Sequence, residues 1–338
     1  MQKTLSLAIA AYNVASTLGQ TLDSLEKASC LDQLDVMVID DGSTDETAKL
    51  ADEYAARHPT AIRVLRKQNG GWGSTVNTGM QNAEGKYFLQ LDGDDYLTHL
   101  DELVTYLDQC QTDLVYMPYI VFRDQSDSVM KTVTELNVPC YQEPQPISKL
   151  AKIPSVHAIV VRTEILRQAK ISVAEHCFYT DVEFVLKICS AVQSISFFAL
   201  PVYCYRLGFD GQSMSKTGVR KHYHDHVRML TNMFQYKKAL ACDAHIKAIF
   251  DRRLSDACYY QYLFFFALPC TKQQQQELKA FDAFLKATDP AIYEQASGKP
   301  ICILRRTHFH GYWLVAHLKD TLDQLTKKHI YQCDSRRK

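Results

Sequence analysis

The stretch of sequence that decides the fold is Lys86-Tyr87-Phe88-Leu89-Gln90-Leu91-Asp92-Gly93-Asp94-Asp95. Its apolar part predicts a buried strand, and that strand ends at three carboxylates. Clustered acids at the end of a buried strand are costly, because like charges repel and each loses hydration. A divalent cation that also binds a phosphate-bearing ligand would offset the cost. The alternative is an acidic loop beside the next helix N-terminus, where Asp favours the helix dipole, and spacing alone does not separate the two.

Apolar runs of strand length recur along the first hundred residues and alternate with helical patterns. They cover residues 5–11, 36–39, 62–65 and 86–91. Runs that are apolar throughout are typical of a mostly parallel sheet covered by helices on both faces. In such sheets ligands bind outside the carboxyl ends of the strands. Each run is followed there by a polar cluster, at residues 12–13, 40–41, 69–73 and 92–95, which favours a ligand site over a plain acidic loop.

The remaining patterns divide the chain at about residue 216. Before it we predict a helix over 99–109, a strand over 114–122, a hairpin around 129–138, a strand over 156–161, a helix entered at 176–184 and strands within 197–205. After it the periodicity predicts only helices, over 221–236, 240–268, 271–287 and 303–325. We therefore predict an α/β domain over residues 1–215 and an all-helical domain over 216–338.

Composition bounds the class of protein. The 338 residues are 46% hydrophobic and 22% charged, a core-forming composition, and Lys+Arg equals Asp+Glu at 38 each. This balance argues against a nucleic-acid partner, which usually requires a basic excess. Eleven cysteines without a CxxC pair, and a start that runs directly into the first strand, predict reduced thiols in a cytoplasmic protein. The longest apolar run, residues 259–268, is too short to span a bilayer, so we expect at most peripheral contact with the inner face of the membrane.

Two loops at the sheet edge carry residue types suited to a nucleotide. In Asp40-Asp41-Gly42-Ser43 a carboxylate can accept a hydrogen bond from the uracil N3–H, and glycine permits close backbone approach. Residues 67–73 are glycine-rich but lack the Walker Lys-Ser/Thr ending and the GxGxxG spacing, so they form neither a P-loop nor a dinucleotide fingerprint. A helix cap for the acids and a flexible turn for the glycines stay open as alternatives.

Five short motifs follow one another along the chain. They are Ala10-Ala11-Tyr12-Asn13, Ile39-Asp40-Asp41-Gly42-Ser43-Thr44-Asp45, Asn69-Gly70-Gly71, Asn77-Thr78-Gly79 and Leu91-Asp92-Gly93-Asp94-Asp95. In this order and spacing they resemble the motifs of family 2 glycosyltransferases, over residues 3–215. The resemblance implies a GT-A fold with a DxD motif, a UDP-sugar donor, Mn²⁺ or Mg²⁺ as the metal and a bacterial setting. It also implies a nucleotide-binding half over about residues 1–98 and an acceptor half over about 99–215.

The resemblance assigns roles to individual positions. Residues around Ala10 and Tyr12, together with Asp41, would hold the uracil, while Asp94 and Asp95 would bind the metal or the ribose and sugar of the donor. Ala10 departs from the family, in which a hydroxyl residue is common at this position. The donor-binding positions carried over are Ala10, Tyr12, Asn13, Asp41, Lys67, Gly71, Asn77, Asp92, Gly93, Asp94, Arg206, Gln212 and Ser213.

Transfer with inversion needs a base on the acceptor hydroxyl, opposite the leaving diphosphate. Asp181, at the entry of a predicted helix, matches the family's base position, and a plain acid at a helix N-terminus is the alternative. Trp72 and His157 are predicted on the acceptor side, Trp72 by stacking on a sugar ring. The alternative for Trp72 is a purely structural packing role, and the alternative for His157 is a core or edge histidine whose hydrogen bonds are satisfied.

These features predict an inverting, metal-dependent hexosyl- or N-acetylhexosaminyl-transferase. It would move a sugar from a UDP-sugar to a hydroxyl of a growing glycan, a glycoprotein or a lipid-linked saccharide. A non-catalytic nucleotide-sugar-binding or assembly module is one alternative. A sugar nucleotidyltransferase is a weaker one, because residues 10–13 stand where such an enzyme carries its phosphate loop.

The C-terminal helices carry two patterns that need interpretation. The aromatic run at residues 259–266 suits a core, a homodimer face or a membrane surface, and a helix that is hydrophobic all round favours the core. His222 and His226 share a helix face, with Asp225 as a possible third ligand, but the histidines of residues 222–226 fit a hydrated helix surface better than a zinc site.

Overall fold

The computed structural model describes residues 3–123, 129–136, 144–207 and 215–318. The chain divides into two compact units, Met1–Phe209 and Asp210–Lys338. The first, here called the α/β unit, contains all the described strands, and the second, here called the helical unit, is helical throughout its described elements. The predicted fold class, a mainly parallel sheet flanked by helices and followed by a helical region, is confirmed.

Within the residues that the structure describes, the α/β unit contains two sheets. Their twelve strands are β1 (Leu5–Ala11), β2 (Leu34–Asp40), β3 (Ile62–Arg66), β4 (Tyr87–Asp92), β5 (Tyr96–Leu97), β6 (Leu114–Tyr116), β7 (Tyr119–Arg123), β8 (Val129–Val133), β9 (Gln145–Pro146), β10 (Ile159–Arg162), β11 (Ser194–Phe197) and β12 (Tyr203–Leu207). The large sheet has the order β3-β2-β1-β4-β10-β6-β11-β9, and the small sheet has the order β5-β12-β7-β8. Strands β3, β2, β1 and β4 are parallel, whereas β10 runs antiparallel to both of its neighbours.

Among the described residues, six helices with both ends described belong to the α/β unit and five to the helical unit, in which residues 312–318 are helical as well. They are α1 (Ala15–Glu26), α2 (Thr47–Arg57), α3 (Trp72–Asn82), α4 (Leu100–Gln109), α5 (Thr163–Gln168) and α6 (Thr180–Ala191), then α7 (Lys216–Ala239), α8 (Ala244–Ala267), α9 (Lys272–Thr288), α10 (Pro290–Gln295) and α11 (Lys299–Arg306). The central strand β4 is buried along its apolar residues. Because β1, β2 and β4 are parallel neighbours, the loops that follow them emerge at one edge.

Three predicted strands differ from those observed. The strand expected over residues 114–122 is split at Pro118, which has no N–H for a ladder, so β6 joins the large sheet and β7 the small one. The hairpin expected around 129–138 is instead formed by β7 and β8. Val156–Ala158 is a short 3₁₀ turn ahead of β10, so His157 does not begin a strand.

In the helical unit, the aromatic residues of α8 form a core, which confirms the favoured interpretation of that run. His226 corrects the prediction of a hydrated histidine surface: it is buried, its Nδ1 lies 2.8 Å from Gln261 Oε1, and burial lowers its pKa to about 4. His224, in contrast, is exposed. Within the described part of the chain, no helix has both the length and the apolar content needed to cross a membrane.

Gly79 marks the closest approach between α3 and β1, and its replacement gives a test of this packing. A Cβ added at Gly79 would stand 2.5 Å from the Cβ of Ala8. Because overpacking of this kind forces shifts in the backbone, we expect Gly79→Ala to lower the free energy of unfolding by about 1–3 kcal/mol. The measurement is the urea midpoint followed by circular dichroism.

The matched control is Gly19→Ala in α1, where the nearest atom, Leu50 Cδ2, would be 3.9 Å from the new Cβ. Replacing a helical glycine without overlap gains up to about 1 kcal/mol of helix propensity, so this variant should keep or raise the midpoint. Equal midpoints for the two variants would contradict the packing described.

Candidate active site

The carboxyl ends of β1, β2, β3 and β4 form the edge at which the predicted site lies. The strand register sets Ala10 opposite Asp92 and Ala11 opposite Asp40, and Asp40 in turn is opposite Arg66. The acids at the ends of β2 and β4 are therefore at nearly the same height on either side of β1. This alignment brings the loops of the sequence motifs together.

The loop after β1 is joined to the loop after β2 through Asn13. Its Oδ1 accepts a hydrogen bond from the Thr44 N–H at 2.8 Å, and its own N–H donates to Ser43 Oγ at 3.1 Å. Asn13 has a φ of +53°, a left-handed conformation that Asn tolerates better than most residues. The ring of Tyr12, next to it, is half exposed. Asn13 thus has a structural role here, and its predicted contact with the donor stays a prediction.

Asp41 organises the glycine-rich loop. Its Oδ1 accepts from Lys67 Nζ at 2.7 Å, the Gly70 N–H at 3.0 Å and Ser74 Oγ at 3.3 Å, and its Oδ2 accepts from the Gly71 N–H at 2.8 Å. Gly71 has a φ of +80°, which a side chain would oppose. The Asp41 carboxylate and the Lys67 ammonium both bind atoms of the glycine-rich loop and so shape its surface. The predicted contact between Asp41 and a uracil stays a prediction.

Three possible metal ligands come together at this edge. They are one atom each of Asp92, Asp95 and His157, and all three atoms lie within 4.8 Å of one another. Asp95 is 1% exposed, and its Oδ2 accepts from the Tyr203 hydroxyl at 2.7 Å while its Oδ1 accepts from the Arg206 N–H at 2.6 Å. The Tyr203 oxygen also accepts the Asp92 N–H at 3.1 Å. Among the residues that the structure describes, this is the only such group of three that could hold a metal ion.

The charges in this cluster are incompletely compensated. The pKa of Asp92 is raised to about 7, chiefly by burial and also by the charges of Asp94 and Asp181, while a hydrogen bond from Trp72 opposes the rise. Burial also raises the pKa of Asp94, and burial together with the charges of Asp94 and Asp92 raises that of Asp95 well above its usual range. Raised carboxyl pKa values of this kind indicate a site that favours added positive charge.

His157 is enclosed by aromatic rings. Tyr205 stacks on it with ring centroids 4.2 Å apart, and the rings of Tyr119 and Tyr203 lie 5.5 and 4.8 Å away. Burial lowers the pKa of His157 to about 3, so its imidazole is neutral, the form that ligates a metal. Its predicted place on the acceptor side stays a prediction.

Arg206 lies beneath the acidic loop. Its side chain is buried: Nε donates to the Asp94 carbonyl at 2.6 Å, Nη2 donates to Gln20 Oε1, and the guanidinium lies 4.8 Å from the centroid of the Phe122 ring. Arg206 thus supports the Asp94 backbone, and its predicted contact with the donor stays a prediction. Two other predicted donor contacts, Gln212 and Ser213, lie outside the described residues.

Gly93 and Ala10 meet through their backbones. The Gly93 N–H donates to the Ala10 carbonyl at 3.0 Å, and a Cβ on Gly93 would lie only 2.9 Å from that oxygen. This close approach explains the glycine between the acids. Both positions therefore have a structural reason that is independent of any ligand.

The amide of Asn77 is engaged by the loop before α6. Its Oδ1 accepts from the Val173 N–H at 2.9 Å, and its Nδ2 donates to the Val173 carbonyl and to Glu175 Oε1, both at 3.0 Å. The Gly70 carbonyl accepts from the His176 N–H in the same region. Asn77 thus anchors α3 to the segment leading into α6, and its predicted contact with the donor stays a prediction.

Asp181 occupies the first turn of α6, after Tyr179, which has a φ of +66°. Its charge contributes to the raised pKa of Asp92, so its carboxylate lies near that of Asp92. Phe184, one turn further along α6, contacts Trp72 edge to face with ring centroids 6.1 Å apart. Trp72 thus packs against Phe184, and its predicted stacking on an acceptor sugar stays a prediction.

Two residues that hold the acidic loop were missed from the sequence. The Thr21 hydroxyl donates to the Asp95 carbonyl at 2.6 Å and to the Gly93 carbonyl at 3.1 Å, and Tyr203 donates to the Asp95 carboxylate. Both belong to regular elements, α1 and β12. The sequence signal for both was a hydroxyl group at a position expected to be buried, because a buried hydroxyl needs a hydrogen-bond partner.

Comparison with known proteins agrees with this geometry. Residues 6–169 match the sequence pattern of Glycosyl transferase family 2. The uncharacterized glycosyltransferase EpsJ of Bacillus subtilis is 34% identical over 112 residues, which are 32% of this chain and 32% of EpsJ. The poly(ribitol-phosphate) β-N-acetylglucosaminyltransferase TarS of Staphylococcus aureus is 25% identical over 224 residues, which are 63% of this chain and 37% of TarS. The chain thus spans about a third of the length of these relatives.

Solved structures share the fold at low sequence identity. S. aureus TarS 1–349 in complex with UDP-GlcNAc superposes with a TM-score of 0.68 at 21% identity, over 94% of this chain and 92% of that one. The mannosyltransferase PcManGT from Pyrobaculum calidifontis, in complex with GDP-Man and Mn²⁺, gives 0.52 at 19% identity, over 96% and 88%. The motif order, the sheet topology and the match over residues 6–169 together show that the α/β unit contains a Glycosyl transferase family 2 domain with the GT-A fold.

Proposed function

We propose that the chain is an inverting, metal-dependent glycosyltransferase that moves a sugar from a UDP-sugar to an acceptor hydroxyl. The observation that carries the proposal is the group of acids at one sheet edge. Asp92 and Asp95 come within reach of one cation, and Asp181 is near enough for its charge to raise the pKa of Asp92. One acid group for the leaving diphosphate and a separate acid for the acceptor proton are what such a transfer requires.

The donor side of the proposal rests on two loops. Tyr12 presents a half-exposed ring that can stack on a base, and the loop held by Asp41 presents glycine backbone beside Lys67. A structure of the fold neighbour TarS is a complex with UDP-GlcNAc, which makes UDP-GlcNAc the first donor to test. The acceptor is proposed only by class: a glycan, a glycoprotein or a lipid-linked saccharide.

The residues at the acid cluster fit a divalent cation. Asp92, Asp95 and a neutral His157 supply hard oxygens and one imidazole nitrogen, and Asp94 adds a further carboxylate nearby. The raised carboxyl pKa values are the mark of uncompensated charge, and carboxylates with water are ligands that suit Mn²⁺ and Mg²⁺. A divalent cation held there would neutralise the charge that develops on the leaving diphosphate. The fold neighbour PcManGT is itself a complex with Mn²⁺.

The proton of the acceptor hydroxyl is assigned to Asp181. The left-handed residue Tyr179 turns the chain into α6 immediately before it, and the loop that precedes α6 is held by Asn77. A base held by a fixed loop meets the requirement that its carboxylate stay within hydrogen-bond reach of the acceptor. The acid cluster and the base then act on opposite sides of the reacting sugar carbon.

The first prediction concerns UDP release. We expect the purified protein to release UDP from at least one UDP-sugar, and Mn²⁺ to raise the rate by at least about tenfold, because the leaving diphosphate needs added positive charge. Asp94→Asn should remove most of this increase. Its control is Asp108→Asn, an exposed acid at the end of α4, which should behave as the wild type.

Two outcomes would count against this proposal in different ways. If the protein bound UDP with Mn²⁺ but released none from any UDP-sugar, the non-catalytic binding module would be favoured. If it bound no UDP under any of these conditions, both readings of the nucleotide site would be wrong.

The second prediction separates a base from a helix N-terminal acid. Asp181 and Glu164 both follow a threonine at the start of a helix, α6 and α5 respectively, so each favours its helix dipole. Asp181→Asn should lower kcat for transfer by about 10²–10⁴-fold, because the acceptor proton loses its base, while UDP affinity changes little. Glu164→Gln should leave kcat unchanged. Full transfer by the Asp181→Asn variant would refute the assignment.

A further inference from the structure

Trp72 hydrogen-bonds to the acid cluster, and this contact has no role in the reaction proposed above. Its Nε1–H donates to Asp92 Oδ1 at 2.7 Å. Within the described ranges of the chain, no other side chain donates a hydrogen bond to the Asp92 carboxylate. The Trp72 ring also contacts Phe184 of α6, with the two rings inclined at 79°. One indole thus spans the distance between the acid cluster and the helix that carries Asp181.

The indole is held by its own backbone. Trp72 is the first residue of α3, directly after Gly71, whose N–H is bound by Asp41. The Trp72 carbonyl accepts from the Thr75 hydroxyl at 2.7 Å. A Cβ on the next residue, Gly73, would overlap the Ala174 carbonyl, so the first turn of α3 lies tightly against that loop. The backbone that carries the indole is therefore fixed beside the loop that leads into α6.

Asp92 needs such a donor because it stands among acids. The charges of Asp94 and Asp181 both act on it, and the χ2 torsion of an aspartate has broad intrinsic preferences. A fixed N–H at Oδ1 selects one orientation of the carboxylate and so fixes the direction of Oδ2. A ligand atom in a functional site must be placed within about 0.5 Å, so the orientation of this carboxylate affects how well it binds a ligand.

We propose that Trp72 is a positioning residue that acts through Asp92, holding its carboxylate in the orientation that binds the diphosphate end of the donor. This rests on the proposed function. It replaces the sequence prediction that Trp72 stacks on the acceptor sugar, and the two roles predict different kinetics.

The first experiment reads the contact without any turnover. The chain has two tryptophans, Trp72 and Trp313, so a Trp313→Phe protein reports Trp72 alone. In that background Asp92→Ala removes the acceptor of the indole N–H, and the Trp72 emission spectrum should shift. Asp94→Ala, the same change two residues along the same loop, should shift it much less. Equal spectra for the Asp92→Ala and parent proteins would overturn the proposal.

The second experiment separates positioning from stacking. Trp72→Phe keeps an aromatic ring against Phe184 but has no N–H. If Trp72 acts through Asp92, this variant should lose about tenfold in kcat with an unchanged KM for the acceptor, the effect of losing one hydrogen bond to a charged group. Normal kcat with a raised acceptor KM would instead establish stacking and overturn the proposal.

UDP affinity in the presence of Mn²⁺ gives a third test. It should fall in Trp72→Phe and in Asp92→Ala. The double variant should bind UDP no more weakly than Asp92→Ala alone, because both changes act at one carboxylate. Additive losses would overturn the proposal. A wild-type protein that releases no UDP from any UDP-sugar would refute the proposed function, while the emission spectra would still decide whether Trp72 acts through Asp92.

Discussion

The anchoring of Asp95 is the interaction on which the rest of the site depends. A buried carboxylate with other acids beside it is stable only where hydrogen bonds compensate it, and here the Tyr203 hydroxyl and the Arg206 N–H supply them at 2.7 and 2.6 Å. Both donors come from β12, which pairs with β5 in the small sheet. The small sheet is therefore what allows three acids to stand at the end of β4. Without that support the acidic loop would carry its repulsion uncompensated.

A second constraint links the two sides of the site through α3. Asp41 holds the glycine-rich loop that begins this helix, and Asn77 on the same helix holds the segment that leads into α6. The surface offered to a nucleotide and the acid assigned to the acceptor proton are thus attached to one rigid element. Glu183 adds to this arrangement from α6, where it pairs with Lys187 and accepts the Ala174 N–H.

The sequence alone predicted the structural features that depend on local residue patterns. Apolar runs, helical spacing and the polar residues that end each run are enough to predict a mainly parallel sheet and the edge where its loops meet. It did not predict long-range contacts. Tyr203 and Asp95 are 108 residues apart, and nothing near Tyr203 reveals its partner. Arg206 was predicted as a donor contact from the family resemblance, and nothing in the sequence around it shows that its Nε donates to the Asp94 carbonyl. Pro118, which separates β6 from β7, was a local signal that the strand pattern outweighed.

The central claim is that the acid cluster binds the diphosphate of a UDP-sugar through a divalent cation. The most direct measurement is anomalous diffraction at the manganese edge from crystals of the protein grown with UDP and Mn²⁺. The account predicts one anomalous peak in contact with the diphosphate and with at least one carboxylate of Asp92, Asp94 or Asp95. UDP bound at the sheet edge with no anomalous peak beside those carboxylates would contradict it.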